Sequence, residues 1–154
     1  NAGIGAVRDI LVPLADVITP NLPEAAVLLD TQAPSNPDAM EAMIPGLQAL
    51  SAPYVLLKGG HLPGEACPDL LATPTDSAWL PAPRIDTDNL HGTGCALSSA
   101  IAAHLAHLSA DAGHTEIVAA IGEAKQWLHR ALDASQRLAV GHGRGPVHHF
   151  HAWW

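Results

Sequence analysis

The sequence predicts an α/β fold, and three observations carry the prediction. Val17-Ile18-Thr19 and Tyr54-Val55-Leu56-Leu57 are short β-branched and apolar runs, the pattern of buried parallel strands. Longer segments beside them space their apolar residues three and four apart, as helices do. The resulting order is strand, helix, strand, short hairpin, helix, helix, with no internal repeat, low-complexity linker or domain boundary. Residues 1–154 therefore read as one domain.

The elements follow in order. After Asn1-Ala2-Gly3-Ile4-Gly5, an amphipathic helix is predicted with Val7, Ile10, Leu11 and Leu14 on one stripe. Behind the first strand, a helix starts near Pro23, where a missing N–H costs least, and runs through Glu24 to Leu29. Asn36-Pro37 is a cap followed by a first-turn proline. It leads a helix with Met40, Met43, Ile44, Leu47 and Leu50 as its stripe, which Pro45 is expected to kink or break. Lys58-Gly59-Gly60 closes the second strand. From His61 to Arg84, proline and turn formers surround two short apolar pieces, Leu70-Leu71 and Ala78-Trp79-Leu80, predicting a hairpin. A long helix begins at Thr93, with Leu97, Ile101, Leu105 and Leu108 apolar and Ala96, Ser99, Ala100 and Ala103 small. A second spans His114–Gln136. The tail from Gly141 is rich in Gly and His, and its terminal Trp153-Trp154 is expected to pack on the sheet edge or a partner subunit.

Composition removes several function classes. Hydrophobic residues make up 48% of the 154 positions, enough for a sizeable core, whereas charged residues make up 14%, against roughly 25% in an average soluble protein. So few charges imply extensive burial, within the chain or against a partner. Seven Lys and Arg against fifteen Asp and Glu leave a net charge of −8, so nucleic-acid and anionic-membrane binding, which need a basic face, are not expected. A phosphate ligand remains compatible, because backbone N–H groups hold phosphate without net positive charge. Apolar stretches such as Ala25-Ala26-Val27-Leu28-Leu29 are too short to span a membrane, and Asn1–Leu14 shows no signal-peptide pattern. Two cysteines, Cys67 and Cys95, form no disulfide framework, and the expected compartment is the cytoplasm.

Three motifs carry chemistry. His91-Gly92-Thr93-Gly94-Cys95 is a Gly-Thr-Gly turn feeding a helix. Its glycines let backbone approach a ligand, and the helix start offers unpaired N–H groups with about half a positive charge, an anion hole. Cys95 falls in the first turn, where a thiolate is stabilised; the alternative is a Thr93-capped helix with a small buried cysteine. Thr19-Pro20-Asn21-Leu22-Pro23-Glu24 follows the first strand, at the end of a parallel sheet where ligands bind. Its Asn21 and Glu24 oxygens suit Mg²⁺, or else form a capping box. Lys58-Gly59-Gly60-His61 follows the second strand with a phosphate-suited point charge and two glycines for close approach. All three motifs are expected at one sheet edge. Ten histidines, including His104, His107, His148, His149 and His151, raise a zinc reading, but no cysteine pair at zinc spacing accompanies them. They read as solvent-facing or hydrogen-bonded. Cys67 reads as a loop residue.

Together these residues resemble the hydroxymethylpyrimidine/phosphomethylpyrimidine kinases of thiamine biosynthesis, in the ribokinase-like superfamily. The likeness rests on Thr-Pro-Asn-Leu-Pro-Glu-Ala at 19–25, Lys-Gly-Gly-His at 58–61, Arg-Ile-Asp-Thr at 84–87, His-Gly-Thr-Gly-Cys at 91–95 with Leu-Ser-Ser-Ala-Ile-Ala-Ala at 97–103, and Gly-Pro-Val-His-His-Phe at 145–150. The cysteine ending Gly-Thr-Gly-Cys is the specific part, since sugar and nucleoside kinases of the superfamily usually carry Asp there. Ala96 and Leu90 depart from the family pattern, each replacing a hydroxyl residue. The resemblance implies a three-layer α/β/α sandwich with a mostly parallel sheet, of which this chain is the C-terminal, ATP-binding and catalytic portion, the N-terminal part being absent. It implies ATP and Mg²⁺ as cofactors, allows a monovalent cation, and favours a homodimer. Phosphoryl transfer to a hydroxymethylpyrimidine and its monophosphate is the expected reaction. Cys95 is the expected base, and Gly92, Thr93 and Gly94 the donors to the transferring phosphoryl. Asn21, Lys58, Gly59 and Gly60 are expected on the ATP phosphates and Glu24 on Mg²⁺. The alternatives are a pyridoxal kinase of the same cysteine type, a non-catalytic nucleotide-binding fragment, and histidine-based metal carriage.

Overall fold

Tyr54–Leu57 (β2) is an inner strand of a four-stranded sheet ordered β1-β2-β3-β4, with Val55, Leu56 and Leu57 buried. A computed structural model describes Ala2–Trp153, so Trp154 of the expected aromatic terminus lies outside the described residues. The chain divides into two compact units, Asn1–Arg84 and Ile85–Trp154. In the first unit, Val17–Ile18 (β1) runs parallel to β2, pairing Val17 with Tyr54 and Ile18 with Val55. Asp69–Ala72 (β3) pairs antiparallel with β2, and Ser77–Leu80 (β4) antiparallel with β3. Within this chain the sheet is therefore mixed rather than mostly parallel. The cause is the hairpin, which Thr73 closes: its N–H and hydroxyl both donate to the Asp76 carbonyl, at 2.8 and 2.9 Å, and its Oγ1 accepts from the Asp76 N–H.

Leu22–Leu29 (α2) and Pro37–Gln48 (α3) supply the rest of this unit's core, with Leu22, Ala25, Met40 and Leu47 packed among Val55, Leu57, Leu70 and Ala72. Asn36 caps α3 through its side-chain oxygen, 2.8 Å from the Ala39 N–H, with Pro37 in the first turn. Pro45 does not end α3, which continues to Gln48. The ring forgoes one bond, to the Glu41 carbonyl, and the burial of Met43, Ile44 and Leu47 on either side holds the helix against that loss.

The opening segment also differs from expectation. Ala2–Ala6 (α1) passes into a π-helical turn, Val7–Leu11, and a 3₁₀ turn, Val12–Leu14. The Val12 N–H bonds the Val7 carbonyl five residues back, which shifts the helical register. Val12 is buried, while Val7, Ile10, Leu11 and Leu14 are exposed.

In the second unit, Thr93–Ala106 (α4) and His114–Ala134 (α5) pack together. Ala96, Ala131 and Val147 form a small core with Trp127, Leu128 and Leu132 against it, and His104 Nδ1 lies 3.1 Å from Glu123 Oε2. Trp153 is 82% exposed rather than packed on a sheet edge.

Candidate active site

Parallel pairing of β1 and β2 places the loops that leave their carboxyl ends side by side. An isolated parallel bridge joins Asn21 to Lys58, and the Lys58 N–H donates to the Pro20 carbonyl at 2.9 Å. The second and third of the sequence motifs thus meet at one sheet edge. Asn21 and Glu24 form the capping box: Asn21 Oδ1 accepts from the Glu24 N–H and Glu24 Oε2 accepts from the Asn21 N–H, each at 2.8 Å. Capping occupies one carboxylate oxygen. Glu24 is exposed, so its second oxygen can still meet a hydrated Mg²⁺, which needs only one or two protein carboxylates. The donor set fits that ion.

Lys58 is half-buried, and no ion pair or hydrogen bond of its side chain occurs among the described residues. Its two glycines differ. Gly59 is buried, and its N–H donates to the buried Asp69 carboxylate at 2.9 Å. A Cβ on Gly59 would collide with the Pro68 carbonyl, so close approach at this glycine is to the protein's own backbone. Gly60 is exposed, and a Cβ there would meet only Cys67 Sγ at an ordinary 3.6 Å.

The Gly-Thr-Gly-Cys turn belongs to the second unit. Gly92 is the N-cap of α4 with φ of 79°, a left-handed conformation that a residue with Cβ adopts at a cost. No side chain caps α4, so the Thr93 cap considered from sequence is not made. The Thr93 N–H reaches the Leu90 carbonyl at 3.4 Å, whereas those of Gly94 and Cys95 find no acceptor among the described residues. This is an open helix start with donors to spare. The Cys95 thiol is free and exposed, not buried. A cleft of about 540 Å³ runs from Gly92 and Cys95 along Ser99, Ala100 and Ala103 to Trp127 and His149. The turn is anchored from behind: Asn89 Nδ2 donates to the Ser135 carbonyl at 2.8 Å, and the His91 N–H donates to the Gly145 carbonyl at 3.2 Å.

Sequence reasoning gave no role to Asp69 or Trp127, and named Arg84 only as part of the Arg-Ile-Asp-Thr string at 84–87. Asp69 had a weak signal, a lone acid opening an apolar strand. Trp127 had none beyond its helical position, where its ring lies 6.1 Å from those of both His149 and His151. His148 is buried. Among the described residues, no three His, Cys, Asp or Glu side chains gather as a metal site, and no helix is long and apolar enough to cross a membrane.

Loops converging beyond parallel strands and a glycine-led helix start define the class: the fold is α/β of the ribokinase-like kind. The solved structure of Bacillus subtilis pyridoxal kinase, an ADP complex, superposes with a TM-score of 0.85 at 34% identity, covering 98% of this chain and 54% of that one. The chain belongs to the phosphomethylpyrimidine kinase family, whose model matches residues 1–148. It is 46% identical over 99% of its length to the hydroxymethylpyrimidine/phosphomethylpyrimidine kinase of Escherichia coli, and 44% over 98% to that of Rhizobium meliloti. It spans 55% and 54% of those two relatives, about half their length.

Proposed function

We propose that residues 1–154 are the C-terminal, ATP-binding and catalytic portion of a cytoplasmic, homodimeric kinase. The enzyme phosphorylates 4-amino-5-hydroxymethyl-2-methylpyrimidine and then its monophosphate, for thiamine biosynthesis. The observation that carries this reading is the exposed Cys95 thiol in the first turn of a helix that no side chain caps. Family membership and the pyrimidine-kinase names of the curated relatives favour this acceptor over pyridoxal.

The hydroxymethyl oxygen attacks the γ-phosphorus of ATP. The new O–P bond forms as the bond to the β,γ-bridging oxygen breaks, ADP leaves, and the hydroxyl proton passes to the Cys95 thiolate. Such a base contributes about 10²–10⁴-fold. The N–H groups of the Gly92-Thr93-Gly94-Cys95 turn are oriented before reaction and stabilise charge on the transferring phosphoryl. Asn21, Lys58, Gly59 and Gly60 hold the ATP phosphates. For Gly59 the contribution is the shape of the loop, given its packing on Pro68. Glu24 would hold Mg²⁺ directly or through water, and the ion when bound neutralises phosphate charge.

The test is ATP-dependent phosphorylation of the hydroxymethylpyrimidine by the protein, with pyridoxal as competitor. Turnover of the pyrimidine is expected in the wild type, and Cys95→Ala should retain nucleotide binding while losing about 10²–10⁴-fold in rate. Full activity of Cys95→Ala removes the thiol from the mechanism, and preference for pyridoxal replaces the acceptor.

A further inference from the structure

Arg84 closes the first unit, and each nitrogen of its guanidinium donates to one loop. Nε donates to the Gly64 carbonyl at 2.8 Å, Nη1 to Gly60 at 3.0 Å, and Nη2 to Leu62 at 2.6 Å. The loop's base is closed as well: the Arg84 N–H donates to the Glu65 carbonyl and the Cys67 N–H to the Ala82 carbonyl, each at 2.7 Å, and Ala66 bridges Pro83. Leu62 is buried, and its N–H donates to the Gly59 carbonyl at 2.9 Å. The loop led by Lys58-Gly59-Gly60 is therefore wound around one cation. No carboxylate forms an ion pair with Arg84 among the described residues.

Two consequences follow. Each guanidinium nitrogen donates to a carbonyl of the loop, so the principal partners of Arg84 are the protein's own backbone. In a planar trans peptide the N–H points opposite to the C=O. Turning the Gly60 and Gly64 carbonyls toward the guanidinium therefore directs the N–H groups of His61 and Glu65 away from it. Pro63, between them, has no N–H to misdirect.

We infer that Arg84 is a positioning residue for nucleotide phosphates: it gathers the carbonyls of loop 60–66 inward and so fixes the Lys58-Gly59-Gly60 segment, together with the outward N–H groups of His61 and Glu65, before a ligand arrives. The inference rests on the proposed phosphate role of that segment. A rigid planar fork with five donors reaches carbonyls spread along the loop in fixed directions, whereas a lysine ammonium is a compact point charge on a flexible stem.

The test is Mg·ADP titration calorimetry on the full chain, its Arg84→Lys and Arg84→Ala variants, with amide hydrogen exchange over 60–66 and a melting curve for each. Arg84→Ala is expected to weaken ADP binding about tenfold, the effect of one lost preorganising interaction. Arg84→Lys, keeping charge and stem, should recover part of that loss but remain about threefold weaker than wild type. Exchange at Leu62 should quicken in both, while the melting midpoint stays within a few degrees. Wild-type affinity in Arg84→Ala overturns the inference, and if that variant does not fold, wild-type affinity in Arg84→Lys does so. Absence of ADP binding by the wild type overturns the phosphate reading itself, and the inference with it.

Discussion

Gly59→Ala and Gly60→Ala, substitutions in adjacent glycines of one loop, should have very different effects on stability. A Cβ at Gly59 would overlap the Pro68 carbonyl oxygen and lie 3.0 Å from its carbon, inside the non-bonded optimum of about 3.5 Å. The obstacle is backbone at the entrance to β3, so it cannot rotate away. Overpacking of this kind costs about 1–3 kcal/mol. Displacing Gly59 also breaks its N–H bond to the Asp69 carboxylate, 6% exposed, for about 1–3 kcal/mol more. The total is about 2–6 kcal/mol, equivalent to about 4–24 °C in melting temperature for a chain of this size. At Gly60 the new methyl meets only Cys67 Sγ at 3.6 Å, and the change should stay within about 0.5 kcal/mol. Differential scanning calorimetry of both variants beside the wild type gives the comparison. A Gly59→Ala protein melting within about 2 °C of wild type, less than 1 kcal/mol at this size, would refute the packing account and return Gly59 to a purely ligand-facing role.

The remaining expectations concern the two loops and the helix start. Glu24→Gln should keep the capping box and wild-type stability, whereas Glu24→Ala should lose about 1 kcal/mol in urea unfolding. Both should raise the Mg²⁺ concentration needed for nucleotide binding, and an unchanged Mg²⁺ dependence removes Glu24 from the metal. Gly92→Ala forces φ of 79° on a residue with Cβ and should cost about 1–2 kcal/mol, although open space surrounds the position. Equal stability would show that the turn relaxes freely. Exposed Cys95 should react with iodoacetamide before half-buried Cys67, and Mg·ADP should slow that reaction. Peptide mapping after partial labelling reads both outcomes.

Local patterns were legible in the sequence wherever the interacting groups lie within a few residues of one another. The Asn21 and Asn36 caps, the strands at 17–18 and 54–57, the 70–80 hairpin and the starts of α4 and α5 all appear where spacing and capping chemistry put them. The Asn21–Glu24 capping box was one of two readings left open, and its geometry coexists with the other, because a carboxylate has two oxygens. The zinc-versus-surface question for the histidines was posed by sequence, but the burial of His148 was not visible in it.

The amino-acid order by itself determined the α/β alternation, the three motif loops and the family resemblance. Those depend on hydrogen bonds and periodicities that close over three or four positions, or on short strings of residues. Tertiary structure alone decided that Gly59 answers to Pro68, that a π-helical turn buries Val12 in place of its neighbours, and that Arg84 winds a loop 18 to 24 residues earlier around its guanidinium. These outcomes depend on which chain segments the packed core brings together, and no local spacing encodes that.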